Sequence, residues 1–335
     1  MMGGSPPPLD WVRAFTVWRF APATGGLVLA ALAVYLVGVL QVRDWPRGRV
    51  AAFVAGLVVV VGALMGSPAV YGDAGLFWVH MIQHLMLIMV APWLLALGHP
   101  MTLLLRASTG RTHHVVQAVR GSRVAAVVSH PLIGLAFYAC VLIGVHLSGF
   151  MNAMMTSPVL SDLEHVLYLC AGYLYFAPLV TVDSPRRPLA YPLRLFSLFL
   201  GMSADTIVGV VLLQAVHPLF PAYARMQPPW GPGALADIHG GGTVMWIGGD
   251  GLMFAMMLVI GTLWLTDRAP SAATAGSLLE NVRRSALAGT GAEADAGTGE
   301  AARQRLRTSR DIDDDDAARE AYNALLDRLN RADPQ

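Results

Sequence analysis

The sequence predicts an all-α membrane protein, a bundle of seven transmembrane helices followed by a mostly disordered C-terminal tail. Three observations lead there. Hydrophobic residues fill 55% of the 335 positions and charged residues only 13%, and the mean hydropathy is +0.53, a balance outside that of soluble domains. Seven separate apolar runs each approach the roughly 20 residues that cross a bilayer core. The 23 basic residues are all arginine, and they gather on alternate connections between those runs, as in a multi-pass protein.

Residues 1–24 form an N-terminal segment. No basic stretch there runs directly into an apolar core, so no cleavable signal peptide is expected. The membrane domain covers residues 25–266. Its first span, Gly25 to Gln41, stays as a membrane helix, and the second runs from Val50 to Gly66. The third, Phe77 to Leu97, is closed by Gly98-His99-Pro100, and the fourth covers Pro131 to Leu147. The fifth, Leu163 to Val182, lies between Ser157-Pro158 and Pro185 with Pro188; the sixth, Leu195 to Val216, ends before Pro218; the seventh is Thr243 to Leu265. Glycine and proline at these borders stop helices, whereas Pro92 and Pro178 fall inside spans and predict kinks. Cys140 and Cys170, near the middle of spans four and five, read as small buried hydrophobes.

From residue 267 to 335 the composition turns to Ala, Gly, Arg and acid. Ala269 to Thr298 reads as a disordered linker, and a short amphipathic helix is predicted near 316–331. Asp313 to Asp316 place negative charge at its start, and Tyr322, Leu325, Leu326 and Leu329 make one apolar stripe. That stripe either folds back on its own protein or docks a partner or the membrane surface.

Arginine sets the orientation. Arg43, Arg47 and Arg49 follow span one, Arg106, Arg111, Arg120 and Arg123 follow span three, and Arg186, Arg187 and Arg194 follow span five. The connections after spans two and four carry none, and the one after span six carries only Arg225. The positive-inside rule then puts the odd-numbered exits and the C-terminus in the cytoplasm and residues 1–24 outside, against the weaker vote of Arg13 and Arg19.

This topology sorts the polar residues by depth. His80 and His84 begin span three, His146 ends span four, Glu164 and His165 begin span five, His217 ends span six, and Asp237 and His239 precede span seven. All eight meet the outer face, while His99, His113, His114 and His130 lie at the cytoplasmic side. Any one histidine at a helix end is ordinarily a satisfied interfacial side chain. Several helices bringing imidazole or carboxylate to one leaflet is another matter, because polar groups at that depth must pair or coordinate something. His80 and His84 share one helix face through their four-residue spacing, an arrangement that can hold a soft or borderline metal ion. Met151, Met154 and Met155, between spans four and five, add thioethers of the kind that favour Cu(I). Asp205 in span six and Asp250 in span seven lie deeper, where a carboxylate needs a partner, a proton or a place in a relay.

His80-Met81-Ile82-Gln83-His84-Leu85-Met86-Leu87, then Ala91-Pro92-Trp93-Leu94-Leu95 and Gly98-His99-Pro100, resemble the third span of the CtaG family, the assembly factors of caa3-type cytochrome c oxidase. The resemblance continues through His146, Glu164-His165, Phe176-Ala177-Pro178, Asp183-Ser184-Pro185, and Asp237 with Gly240-Gly241-Gly242, Met245 and Trp246, so it covers about residues 25–265. It departs at Asp205, where a histidine is expected, and at Ile238-His239. The resemblance implies a seven-helix bacterial plasma-membrane protein that helps make an active haem-copper oxidase. Copper is the implied metal and the oxidase subunits are the implied partners. The ligand candidates it implies are His80, His84, His146, Glu164, His165 and Asp237, and the residues' own positions add His239, His217, Met151, Met154, Met155, Asp205 and Asp250 as auxiliaries.

Two other functions use the same residues. A copper transporter needs a continuous inward pathway, and a haem or quinone redox protein needs His84 with a histidine from another helix as axial ligands. A retinal protein is excluded, because a Schiff base requires lysine and the chain has none. Neither a phosphate-binding glycine loop ending in lysine nor a hydrolase nucleophile motif occurs, which argues for a non-enzymatic protein. The lipid bilayer is the expected surrounding, and no nucleic-acid partner is expected.

Overall fold

The computed structural model describes residues 6–180 and 189–266, and every regular element among them is helical. The chain divides into two units, Met1–Ile260 and Gly261–Gln335. Of the second, only residues 261–266 are described, and they end the last helix. The tail linker, the helix near 316–331 and the Asp183-Ser184-Pro185 motif lie outside the described residues.

Six described helices are long and apolar enough to cross a membrane: α1 (Pro22–Gln41), α2 (Arg47–Asp73, interrupted at Gly66), α3 (Phe77–Ala107), α5 (Pro158–Val180), α6 (Tyr191–Leu213) and α7 (Ala234–Thr266). The fourth expected span forms α4 (Pro131–His146), which is apolar but only 16 residues long. At 1.5 Å per residue α4 spans about 24 Å, short of the roughly 30 Å hydrocarbon thickness.

The helices overrun the apolar windows. α5 begins at Pro158 rather than Leu163, and α7 begins at Ala234 rather than Thr243, so Asp237 and His239 sit inside α7 instead of before it. Hydropathy reports the stretch that tolerates hydrocarbon. Backbone hydrogen bonding carries a helix on through its polar ends. Cys140 and Cys170 correct another expectation, since both are exposed on the outside of the bundle. The exterior of a membrane protein is as apolar as its core, so polarity alone does not tell the two faces apart.

α3 is the central element, with 61% of its apolar window buried, against 11% for α1. Its first half packs on α7 and its second half on α2 and α5, while α4 packs on α5 and α6, and α6 on α7. α1 joins through a separate cluster in which the Tyr35 ring stacks on Phe53 at 3.8 Å and the Tyr35 hydroxyl donates to the Gly98 carbonyl at 2.8 Å.

Two wide π-turns interrupt the core helices, Met86–Val90 in α3 and Val244–Gly248 in α7. Such turns shift the face a helix presents beyond them and recur at functional sites. In α3 the wide turn is followed by Pro92, which has no N–H for the Ile88 carbonyl one turn below. Gly172 of α5 fits against this place so closely that a Cβ on it would lie 2.0 Å from the Ile88 oxygen. Only a glycine lets the two backbones meet there. Glu164 and His84, carried on these two helices, thereby inherit a fixed relative position.

Residues 6–19 fold over one end of the bundle. Arg19 pairs with Asp73 and donates from Nε to the Leu64 carbonyl at 2.8 Å, the Tyr71 hydroxyl donates to the Pro7 carbonyl at 3.1 Å, and the Trp230 indole donates to the Pro6 carbonyl at 2.9 Å. Gly72, beside Tyr71 and Asp73 at the end of α2, lies close against His80.

Candidate metal centre

The i, i+4 spacing of His80 and His84 puts both imidazoles on the face of α3 that meets α5, with their ring centroids 4.2 Å apart. α5 supplies Glu164 from opposite. Its Oε2 lies 3.4 Å from His80 Nε2 and its Oε1 lies 3.4 Å from His84 Nε2. One ligand atom from each of the three side chains lies within 4.8 Å of the others, and all three residues are buried. None of these four facing atoms has a hydrogen-bond partner, although each is sealed from solvent. Burying unpaired polar atoms costs about 1–3 kcal/mol apiece, a cost that a cation held among them, or an N–H turned toward the carboxylate, would offset.

The surrounding hydrogen bonds assign the protons. His146 Nδ1 lies 2.8 Å from the Leu142 carbonyl one turn back on α4, and a carbonyl can only accept, so Nδ1 carries the hydrogen. His146 Nε2 then holds a lone pair and faces His84 Nδ1 at 3.2 Å. A hydrogen on His84 Nδ1 donates to it, which leaves His84 Nε2 as a bare lone pair pointed at the Glu164 carboxylate. Two acceptors thus confront each other at 3.4 Å. The chain from His84 through His146 to the Leu142 carbonyl is the supporting arrangement metal-ligating histidines use to fix ring orientation and tautomer. Nitrogen and oxygen ligands at about 2.0–2.2 Å from a tetrahedral ion stand about 3.4 Å apart, the separation found here. The donor set of two imidazoles and one carboxylate suits a borderline transition-metal ion.

Aromatic hydroxyls close the centre. Tyr168, one turn from Glu164 on α5, packs its ring at a tilt against His84 with centroids 4.2 Å apart and lies 3.2 Å from His146 Nδ1 through its hydroxyl. Tyr223, from the helix Pro221–Met226 between α6 and α7, packs its ring 5.8 Å from His80 and has a buried hydroxyl without a hydrogen-bond partner. Burial pushes the Tyr223 phenol well above its usual pKa, so it is a neutral hydroxyl.

The fold does not bring every candidate residue to this point. His165 lies beside it, with Nε2 at 3.1 Å from the Gln83 amide. Asp237 stands at the start of α3, where its two oxygens accept from the backbone N–H groups of Phe77 and Trp78 at 2.9 Å each and from Gln227 at 3.1 Å. It caps α3 from 160 residues away and so orients the helix that carries His80 and His84. His239 donates to the Ala215 carbonyl at 2.9 Å, and His217 is exposed in the connection after α6. Met151 and Met154 are buried in the core from the short helix Phe150–Met154, with Met155 at its edge. Asp205 and Asp250 form a separate polar region in α6 and α7. There Tyr138 donates to Asp205 Oδ2 at 2.9 Å, and Thr206 donates to Asp250 Oδ2 at 2.9 Å.

Sequence reasoning missed Met81, Tyr168, Tyr223 and the tie between Gln83 and His165. For Met81 a signal was present: it precedes His84 by three residues, which places it on an adjoining face of the same helix. Its thioether sulfur lies 3.3 Å from His146 Nε2.

The family model of the cytochrome c oxidase caa3 assembly factor (Caa3_CtaG) matches residues 33–267. Among curated proteins, an uncharacterized protein of Mycobacterium leprae is 29% identical over 253 residues, or 72% of this chain and 38% of its own length. Uncharacterized proteins of Mycobacterium bovis and Mycobacterium tuberculosis are each 28% identical over the same shares. The chain therefore spans 38% of the length of these relatives. No solved structure matches it.

Proposed function

The chain belongs to the family of cytochrome c oxidase caa3 assembly factors, and from that premise we propose that it is a copper-handling chaperone for a haem-copper oxidase. The observation that carries the copper reading is the buried group of His80 Nε2, His84 Nε2 and the two Glu164 oxygens, unpartnered and facing one another. Copper is the cargo. Two neutral imidazoles and one carboxylate give a monovalent ion a neutral site, so the ion is stable in the low dielectric of the bundle. Glu164 supplies the compensating charge, and His146 orients His84 through the Leu142 carbonyl.

The seven-span arrangement includes α4 as a short span, with residues 1–24 outside and the C-terminus in the cytoplasm of a bacterial plasma membrane. The arginine distribution supports it. In that orientation the buried centre lies toward the extracytoplasmic side, at the end of the bundle where residues 6–19 bond to Tyr71 and Asp73 and Gly72 packs on His80. Copper is delivered there to oxidase subunits, with no chemical turnover by the chain itself.

The direct test measures copper bound to the purified protein and to the double variant His80→Ala/His84→Ala. Native protein retains copper and the variant does not; equal, negligible copper in both overturns the metal centre. In a deletion strain the oxidase is expected to lack copper and activity, and a normally metallated oxidase removes the assembly role.

A second reading, a copper importer, draws on the buried polar groups that continue from Tyr168 to Tyr138, Asp205, Tyr175 and Ser197. Copper uptake into vesicles containing the protein separates it from the chaperone, which binds copper without accumulating it inside.

A further inference from the structure

We infer that a second, sulfur-containing metal set adjoins the first, formed by Met81 Sδ, His146 Nε2 and His84 Nδ1. This rests on the reading of the chain as a copper-handling protein and deepens it. His146 Nε2 is the hub, 3.2 Å from His84 Nδ1 and 3.3 Å from Met81 Sδ. All three side chains are buried: Met81 and His84 are wholly inaccessible, and His146 is 1% exposed. Ligands at about 2.0–2.3 Å from a tetrahedral ion stand about 3.3 Å apart for two nitrogens and about 3.6 Å for nitrogen and sulfur. The two separations made by His146 Nε2, 3.2 Å and 3.3 Å, therefore lie within a few tenths of an ångström of those of ligands on one ion.

The chemistry of the two sets differs. Two imidazoles and a carboxylate tolerate borderline divalent ions, while two imidazoles and a thioether favour Cu(I). The Nδ1–H of His146, held on the Leu142 carbonyl, keeps its Nε2 lone pair aimed between Met81 and His84.

His84 belongs to both sets through opposite nitrogens, and this makes them alternatives. A neutral imidazole has one lone pair. With an ion in the first set, Nε2 is the ligand and Nδ1–H donates to His146. With an ion in the second set, Nδ1 is the ligand and the hydrogen resides on Nε2, facing Glu164 Oε1 at 3.4 Å. Moving the ion across the ring exchanges the places of metal and proton and changes no total charge. The pair of sets is thus a hand-over point holding one ion at a time, with a softer and a harder side.

The test uses the full chain in detergent micelles, loaded either with Cu(I) under reducing conditions or with Zn(II), and read by elemental analysis and X-ray absorption at the metal edge. Native protein binds one ion of either kind, and Cu(I) shows a sulfur neighbour at about 2.3 Å. Met81→Leu loses that sulfur signal and keeps Zn(II) binding, and Met81→Cys restores sulfur. If Met81→Leu does not fold, Met81→Gln takes its place under the same criterion. An unchanged sulfur signal without Met81 overturns the second set. Simultaneous binding of Cu(I) and Zn(II), one each, overturns the sharing of His84. Glu164→Gln separates this inference from the function on which it rests. Loss of Zn(II) with retained Cu(I)–sulfur contact supports both sets, and Zn(II) retained as in native protein counts against the first set alone. Native protein that binds neither ion removes both.

Discussion

Gly172→Ala tests how the bundle holds its centre. A Cβ at this position would lie 2.0 Å from the Ile88 carbonyl oxygen, 2.6 Å from Pro92 Cγ and 2.8 Å from the Ile88 carbonyl carbon. A relaxed carbon–oxygen contact is about 3.3 Å, so α3 and α5 must separate or slide by about 1.3 Å. Two of the three obstructing atoms are backbone and the third belongs to a proline ring, so no side chain can turn aside. Overpacking of this kind costs about 1–3 kcal/mol. An alanine in unobstructed helix instead gains about 0.5–1 kcal/mol over glycine, and Gly144 in α4, with nothing within 4 Å of the equivalent Cβ, is the matched control. The two variants should therefore differ by about 1.5–4 kcal/mol, read as thermal unfolding in detergent. Because His80 and His84 ride on α3 and Glu164 on α5, and metal ligands must be held within about 0.5 Å, copper retention should fall along with stability. Indistinguishable unfolding temperatures and copper contents for Gly172→Ala and Gly144→Ala would refute the claim that this backbone contact sets the site.

Zn(II) added to native protein at about 100 times its dissociation constant should stabilise it by about 2.7 kcal/mol, while Glu164→Gln should show no such rise in Tm; equal shifts in both would remove Glu164 from the ligands. Asp237→Ala should destabilise the fold by about 1–3 kcal/mol, since it strips two buried N–H groups at the start of α3 of their acceptor; its Zn(II) and Cu(I) coordination spectra should remain native, and loss of a ligand signal would make Asp237 a ligand after all. Tyr138→Phe should cost a similar amount, because Asp205 Oδ2 loses its donor and Oδ1 already has none; an unchanged Tm would show that Asp205 is satisfied otherwise.

Much of the helical architecture was legible because a bilayer imposes one demand on every span, an apolar run long enough for its backbone to satisfy itself. The borders of α5 and α7 were less so, since hydropathy falls off before the helix ends. The pairing of His80 with His84 followed from helical periodicity within one segment. Glu164 and Asp237 were both expected toward the same end of the apolar segments, and that position does not distinguish a ligand from a helix cap. The difference lies in what each carboxylate faces: Asp237 faces backbone N–H groups at 2.9 Å, and Glu164 faces two buried imidazole nitrogens at 3.4 Å. Met81 was hidden by its company, one methionine among 16 on an apolar helix.

The sequence by itself determined that this is a helical membrane-type chain, that it belongs with the caa3 assembly factors, and that six of its histidines collect toward one end of the apolar segments. These follow from composition, period and motif, which are properties of neighbouring residues. Tertiary structure alone decided that Glu164 rather than Asp237 completes the group around His80 and His84, that His146 turns His84 toward it, and that Met81 stands beside them. Those choices depend on the rotation and spacing of α3 against α4, α5 and α7. Side-chain packing and the close backbone approach at Gly172 set that geometry, and no local pattern along the chain encodes it.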